Sequence, residues 1–190
     1  MTFSAARADN AFARVDFGSY SGYIVPDGYA TENKADLMAS IPGPVLIDSF
    51  WTPSEQDFTV ADRAFLEMIH AAAKDPTLLF PDLAPRRDPA AVADPAKARD
   101  LEHEQAELAL VAENYENYSR QYVGIIIGGK KLVFCNYSDG TKVDPSVDYI
   151  FIQKVFVADG TMHFLQCRFE PVSKICSNVS MIGSWQPTAK

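Results

Sequence analysis

The sequence predicts an α+β fold: an antiparallel meander sheet in the C-terminal half, covered on one face by two long helices. Two observations carry this. Residues 52–74 and 94–118 place apolar side chains at three- and four-residue steps behind helix-starting signals. Beyond residue 120 the pattern changes to runs of strand formers broken by Gly128-Gly129 and Asp159-Gly160, both hairpin signals. Helices that precede a run of strands are placed to cover one face of the sheet.

The chain has 190 residues, 47% of them hydrophobic and 22% charged. That length suits one domain, 1–190, able to bury a core without disulfide or metal staples. Residues 1–20 are small and polar with scattered aromatics, and read as a loose arm. Residues 21–26 read as a short strand closed by the Pro26-Asp27-Gly28 turn signal. A short helix follows over 31–40, with Ala35, Leu37 and Met38 on its apolar side, stopped by Pro42-Gly43-Pro44. Residues 45–51 are strand formers. Thr52, Pro53 and Glu55 then form a capping box with proline at the first helical position. The helix behind them runs to Lys74 with Phe58, Ala61, Phe65, Ile69 and Ala72 on one face.

Prolines at 76, 81, 85, 89 and 95 forbid regular structure in the 75–95 connection, whose polar part should be the most mobile internal segment. Asp94-Pro95 opens the second helix, which extends to Tyr118. Its buried stripe is Leu101, Leu108, Val111, Tyr115 and Tyr118, and its glutamates at 102, 104, 107, 113 and 116 keep to the wet side. Strands are expected at 122–127, 130–137, 148–157, 162–169 and 175–182.

The net charge is −8 and the isoelectric point near 4.8. Nucleic-acid binders show the opposite sign with clustered bases. Here the densest groups are Arg86-Arg87 and Lys130-Lys131, so no nucleic-acid partner is expected. No stretch approaches the ~18 apolar residues of a membrane span, and the N-terminus has no signal-peptide core. As written the chain reads as cytoplasmic and soluble; a removed upstream signal would make it an exported protein. No Walker loop, dinucleotide fingerprint or G-x-S-x-G occurs, so no cofactor is expected.

The candidate chemistry is sparse. His103 and Glu107 share a helix face at i and i+4, but two ligands from one helix are not a metal site, and no metal is expected. His163 and Cys167 lie four apart in a strand, roughly 13 Å along it, too far for a thiolate and its imidazole. A cysteine–histidine hydrolase would therefore need Cys135 and His163, brought together by neighbouring strands. If Glu170 pairs with Lys174 around the final turn, Cys167 meets Ser177 and Cys176 points to the other face, so the thiols are expected to be free. Tyr115, Tyr118 and Tyr122 are the candidates to line a pocket between sheet and helices. Arg86 and Arg87 are the candidate partner contacts of the proline-rich connection.

Two C-terminal stretches resemble a known pattern. Arg120-Gln121-Tyr122-Val123-Gly124-Ile125, then Gly129-Lys130-Lys131-Leu132-Val133-Phe134 and Asn136, are similar to RQYxGI…GKrxIyxN. Val157-Ala158-Asp159-Gly160-Thr161, Phe164 and Phe169-Glu170 are similar to vxDGGxxxFxxxYD, with Thr161 in place of a glycine and Glu170 in place of an aspartate. These patterns occur in small uncharacterised bacterial proteins, often exported or lipid-anchored. The resemblance covers about half the chain and implies a fold, with no catalytic residues to carry over.

The functional expectation is a non-catalytic binding or interaction protein, of the inhibitor or immunity type, facing a basic partner. The alternatives are a domain holding a small apolar ligand between sheet and helices, and the Cys135–His163 hydrolase.

Overall fold

Extended backbone leaves its N–H and C=O groups needing partners across strands, and here one seven-stranded sheet supplies them. The computed structural model describes residues 12–18, 21–40, 46–79, 95–139 and 164–182. The strands are β1 (Ala13–Asp16), β2 (Ser21–Val25), β3 (Ser49–Trp51), β4 (Tyr118–Ile127), β5 (Lys130–Asp139), β6 (Phe164–Glu170) and β7 (Ile175–Ile182). The helices are α1 (Asp27–Glu32), α2 (Lys34–Ser40), α3 (Glu55–Lys74) and α4 (Pro95–Glu113). The α+β class is therefore as the sequence predicts, and the sheet is mostly antiparallel. Its order is β1-β2-β4-β5-β6-β7, with β3 paired to β4 as well.

The chain divides into two compact units. The first comprises residues 1–62 and 117–190, the second residues 63–116. In the first, β4 is the organising strand. Its whole length pairs antiparallel with β5, from Tyr118↔Asp139 to Ile127↔Lys130. Its other edge is shared end to end: Arg120–Val123 pair with β2 in parallel, and Gly124–Ile126 pair with β3 antiparallel. Gly128 and Gly129 close the β4–β5 hairpin with φ of 57° and 75°, the left-handed pair a two-residue turn demands. The Asp48 carboxylate accepts from the Gly129 N–H at 3.2 Å, so the approach to β3 also fastens the hairpin tip.

Alternation along β4 and β5 sends Val123, Ile125 and Phe134 to one face. There they pack with Val25, Ala30, Leu37, Ile47 and Phe50 in a single buried cluster. Lys34 ties α2 to the chain before β3 by donating to the Ile47 carbonyl at 2.6 Å. The opposite face carries Tyr122, which stacks on Phe58 of α3 with ring centroids 5.4 Å apart. In the second unit Phe65, Ile69, Ala72, Leu108, Val111 and Tyr115 are buried, and Phe65 meets Tyr115 at 6.2 Å.

Several sequence expectations shift. Ala13–Asp16 is a strand paired with β2, inside the stretch read as an arm. Pro26-Asp27-Gly28 starts a helix instead of a turn, because the Asp27 N–H finds an acceptor in Thr52 Oγ1 at 3.1 Å, 25 positions away. With Thr52 so engaged, the capping box of α3 moves two residues on. Ser54 N–H donates to Asp57 Oδ2 at 2.9 Å and Asp57 N–H donates to Ser54 Oγ at 3.3 Å. Replacing Ser54 by alanine is expected to lower stability by about 1 kcal/mol, read as a drop in melting temperature, whereas Thr52 makes no cap for α3 to lose.

The second helix ends at Glu113, not Tyr118. Asn114 turns its side chain back to the Leu110 carbonyl at 2.9 Å, and such local bonds compete with helix continuation. Tyr115 then lies in a 3-10 turn, and Tyr118 opens β4. Glu107 is buried, not wet. The last register is also shifted, by one beside the turn, where Glu170 pairs with Ile175 and Phe169 with Cys176, and by two beyond an irregularity between Gln166 and Arg168, where Leu165 pairs with Met181. A four-residue turn ending in Lys174 at φ 58° lengthens the connection and moves every pair. The expected strand at 148–157, and residues 80–94 of the proline-rich connection, lie outside the described residues.

Candidate functional site

The least expected residues of the first unit are charged and buried. Asp62 lies one turn after Phe58 on α3, on the helix's apolar stripe, and is 2% exposed. Arg120 alternates with Tyr118 and Tyr122 along β4 and is 0% exposed. Arg120 Nε donates to Asp62 Oδ1 at 3.1 Å, and the Tyr122 hydroxyl donates to the same oxygen at 2.9 Å. Arg120 Nη1 donates to the Tyr118 carbonyl. The guanidinium carbon lies 5.8 Å from the centroid of the Tyr137 ring, a cation–π distance. Guanidinium is ionised at every physiological pH, so the carboxylate beside it stabilises a charge that would otherwise be costly to bury.

Sequence reasoning missed this pair, although each half leaves a trace. A carboxylate sits between Phe58 and Phe65 on an otherwise apolar stripe, and an arginine sits between two tyrosines of a buried strand face. Their pairing across 58 positions has no local signature.

Next to this pair on the same sheet face are the thiols. Tyr122 is opposite Cys135, and Cys135 is opposite Cys167. Cys135 is fully buried, and burial pushes its thiol up from its ordinary range. Burial pushes the Cys167 thiol well up too. Thiols that hold their protons are poor nucleophiles. His163, the proposed partner of Cys135, lies outside the described residues. All three cysteines are free, as expected. The reason differs from the expected one, because Cys176 shares a face with Cys167 and their sulfurs are 4.0 Å apart.

The three candidate pocket tyrosines fall in different places. Tyr115 belongs to the second unit; Tyr118 and Tyr122 belong to β4 in the first. Tyr122 is fully enclosed by Phe58, Phe17 and Tyr137, with its hydroxyl on Asp62. Arg86 and Arg87 lie outside the described residues. His103 is exposed, with Nε2 3.9 Å from Glu107 Oε1. Among the described residues no group of three or more His, Cys, Asp or Glu is placed to hold a metal ion. None of the described helices is long and apolar enough to cross a membrane.

The other face of the sheet holds a second polar feature. Gln121, Asn136 and Gln166 stand side by side on β4, β5 and β6, all buried. Gln166 Nε2 donates to Asn136 Oδ1 at 3.1 Å. Carboxamides offer both donors and acceptors, so neighbours in such a row can bond across strands, as Gln166 and Asn136 do. It carries no charge and no nucleophile.

Comparison of the chain with protein-family models, with curated proteins and with solved structures returns no match.

Proposed function

We propose that this protein is a non-catalytic binding protein of the inhibitor or immunity type, which meets a basic protein partner through an acidic surface. The observation that supports this reading is the charge distribution along and after α4. Residues 100–119 hold six carboxylates (Asp100, Glu102, Glu104, Glu107, Glu113 and Glu116) and no lysine or arginine. Glu102, Glu113 and Glu116 are exposed. A one-signed stretch of this kind steers a partner of opposite charge and rejects partners of like charge. The burial of Cys135 and Cys167 with their protons held supports a role without covalent catalysis. Arg86 and Arg87 remain the proposed contacts from the proline-rich connection.

The test is capture from the native host with the full chain as bait, at low and high salt, with identification of what is retained. The expected result is a basic protein held at low salt and released as salt rises, because exposed charges are screened within about 10 Å at 0.1 M. Reversing Glu102, Glu113 and Glu116 to lysine together should weaken that complex at least ~10-fold and leave the melting temperature nearly unchanged. Recovery of nothing at low salt, or an affinity indifferent to the reversal, overturns the reading.

A further inference from the structure

Three cysteines stand on three neighbouring strands, and the middle one reaches both others. Cys135 on β5 is directly opposite Cys167 on β6. Cys176 on β7 is opposite Phe169, two residues from Cys167. In a regular antiparallel pair such diagonal neighbours are roughly 7–8 Å apart. Here the register slips between Gln166 and Arg168, and Asn178 takes φ 50° on the facing strand. Bulges of this kind bend a strand and re-aim its side chains. The sulfurs of Cys167 and Cys176 are 4.0 Å apart as a result.

We propose that Cys167 and Cys176 form a redox-active dithiol that low-molecular-weight disulfides convert to a disulfide, with Cys176 as the point of entry. Entry at Cys176 follows from exposure. Cys135 and Cys167 are fully buried, whereas Cys176 is half-buried beside the exposed Ile175 and Ser177. Only Cys176 meets an external disulfide without opening of the sheet. Its thiolate attacks one sulfur of glutathione disulfide, forming a mixed disulfide and releasing one glutathione thiolate, which takes up a proton. Cys167 then gives up its proton, and its sulfur attacks Cys176 Sγ, expelling the second glutathione. The protein loses two electrons and two protons, and the glutathione disulfide is reduced to two thiols. Closing the bond brings the sulfurs to about 2.05 Å, a movement the irregular β6–β7 segment is placed to absorb. The product staples β6 to β7 across the irregularity. The second step is slow, because burial keeps Cys167 protonated.

The experiment treats the native full chain with glutathione disulfide and follows intact mass and disulfide-linked peptides. The expected product lacks two hydrogens, carries no glutathione, and maps to Cys167–Cys176. Cys135→Ser should form the same product at a similar rate. Cys176→Ser should react roughly 100-fold more slowly, since only buried thiols remain. Cys167→Ser, if it folds, should stop at a stable glutathione adduct on Cys176. A wild-type protein that stops at that adduct, or that links Cys135 to Cys167 instead, overturns the assignment. So does wild-type protein that stays fully reduced while unfolded protein oxidises.

Discussion

Replacing Asp62 by alanine is expected to destabilise the protein by about 3–5 kcal/mol. Domains of this size are stable by only about 5–15 kcal/mol, so much of the molecule should be unfolded at moderate temperature. The cause is the partner left behind. Arg120 is wholly enclosed and cannot shed its charge, and Tyr122 loses the oxygen that accepts from its hydroxyl. Urea unfolding should show the midpoint falling with the slope unchanged, since the area exposed on unfolding is the same. The companion experiment removes both charges together, with Asp62→Leu and Arg120→Met in one chain. Buried pairs exchanged for apolar residues of similar volume are often neutral, so this variant should recover most of the loss. A single Asp62→Ala variant with the native midpoint would show that the pair is solvated.

Gly124→Ala should cost about 3 kcal/mol for a different reason. An added Cβ would stand 2.0 Å from the Trp51 carbonyl oxygen and 2.9 Å from its carbon. Those are backbone atoms, so neither can swing aside; β3 must move off β4. The Trp51 indole N–H, shared between the carbonyls of Ile125 at 3.3 Å and Leu132 at 3.2 Å, would lose both acceptors. Lys131 Nζ, 4.8 Å above the indole ring, would lose its π-face. Trp51 reports this directly. With Trp185 changed to phenylalanine, its fluorescence should shift to the red as the ring meets water, alongside a lowered melting temperature. Unchanged fluorescence and melting would mean that β3 and β4 are not held as closely as the pairing implies.

What the sequence disclosed and what it hid divide along a physical line. Features set by neighbours in the chain were legible: the stripe from Phe58 to Ala72, the Gly128-Gly129 hairpin and the strand at 175–182. Features set by a distant partner were not. Ser54 rather than Thr52 caps α3 because Asp27 has claimed the threonine. The 3-10 turn at Tyr115 follows from Asn114 bonding backwards to Leu110, a choice the apolar period does not encode. The register between β6 and β7 depends on a turn of four residues where three were expected, and on the irregularity beyond it, and alternation alone fixes neither. Within the buried site, Cys135 was a candidate for its chemistry, whereas Asp62 was passed over and Arg120 stood only in the resemblance motif, because each is polar in a place where the pattern asks for an apolar residue. The exception to the pattern was the signal.

The shared edge of β4 also has a consequence in time. β2 and β3 are made early, yet their hydrogen-bonding partner is Arg120–Ile126, most of a hundred residues later. A chain leaving the ribosome at about 5–20 residues per second therefore carries Val25 and Phe50 for several seconds before their strand exists. Pairings this distant in sequence are slow to close even in the complete chain. The local β4–β5 and β6–β7 hairpins are suited to form first and to act as the template on which the N-terminal strands are laid. During synthesis the brevity of β1, β2 and β3 works against their pairing into intermolecular sheets. Strands of four, five and three residues are too short to hold a stranger for long, and that shortness protects the nascent chain as much as it limits the finished sheet.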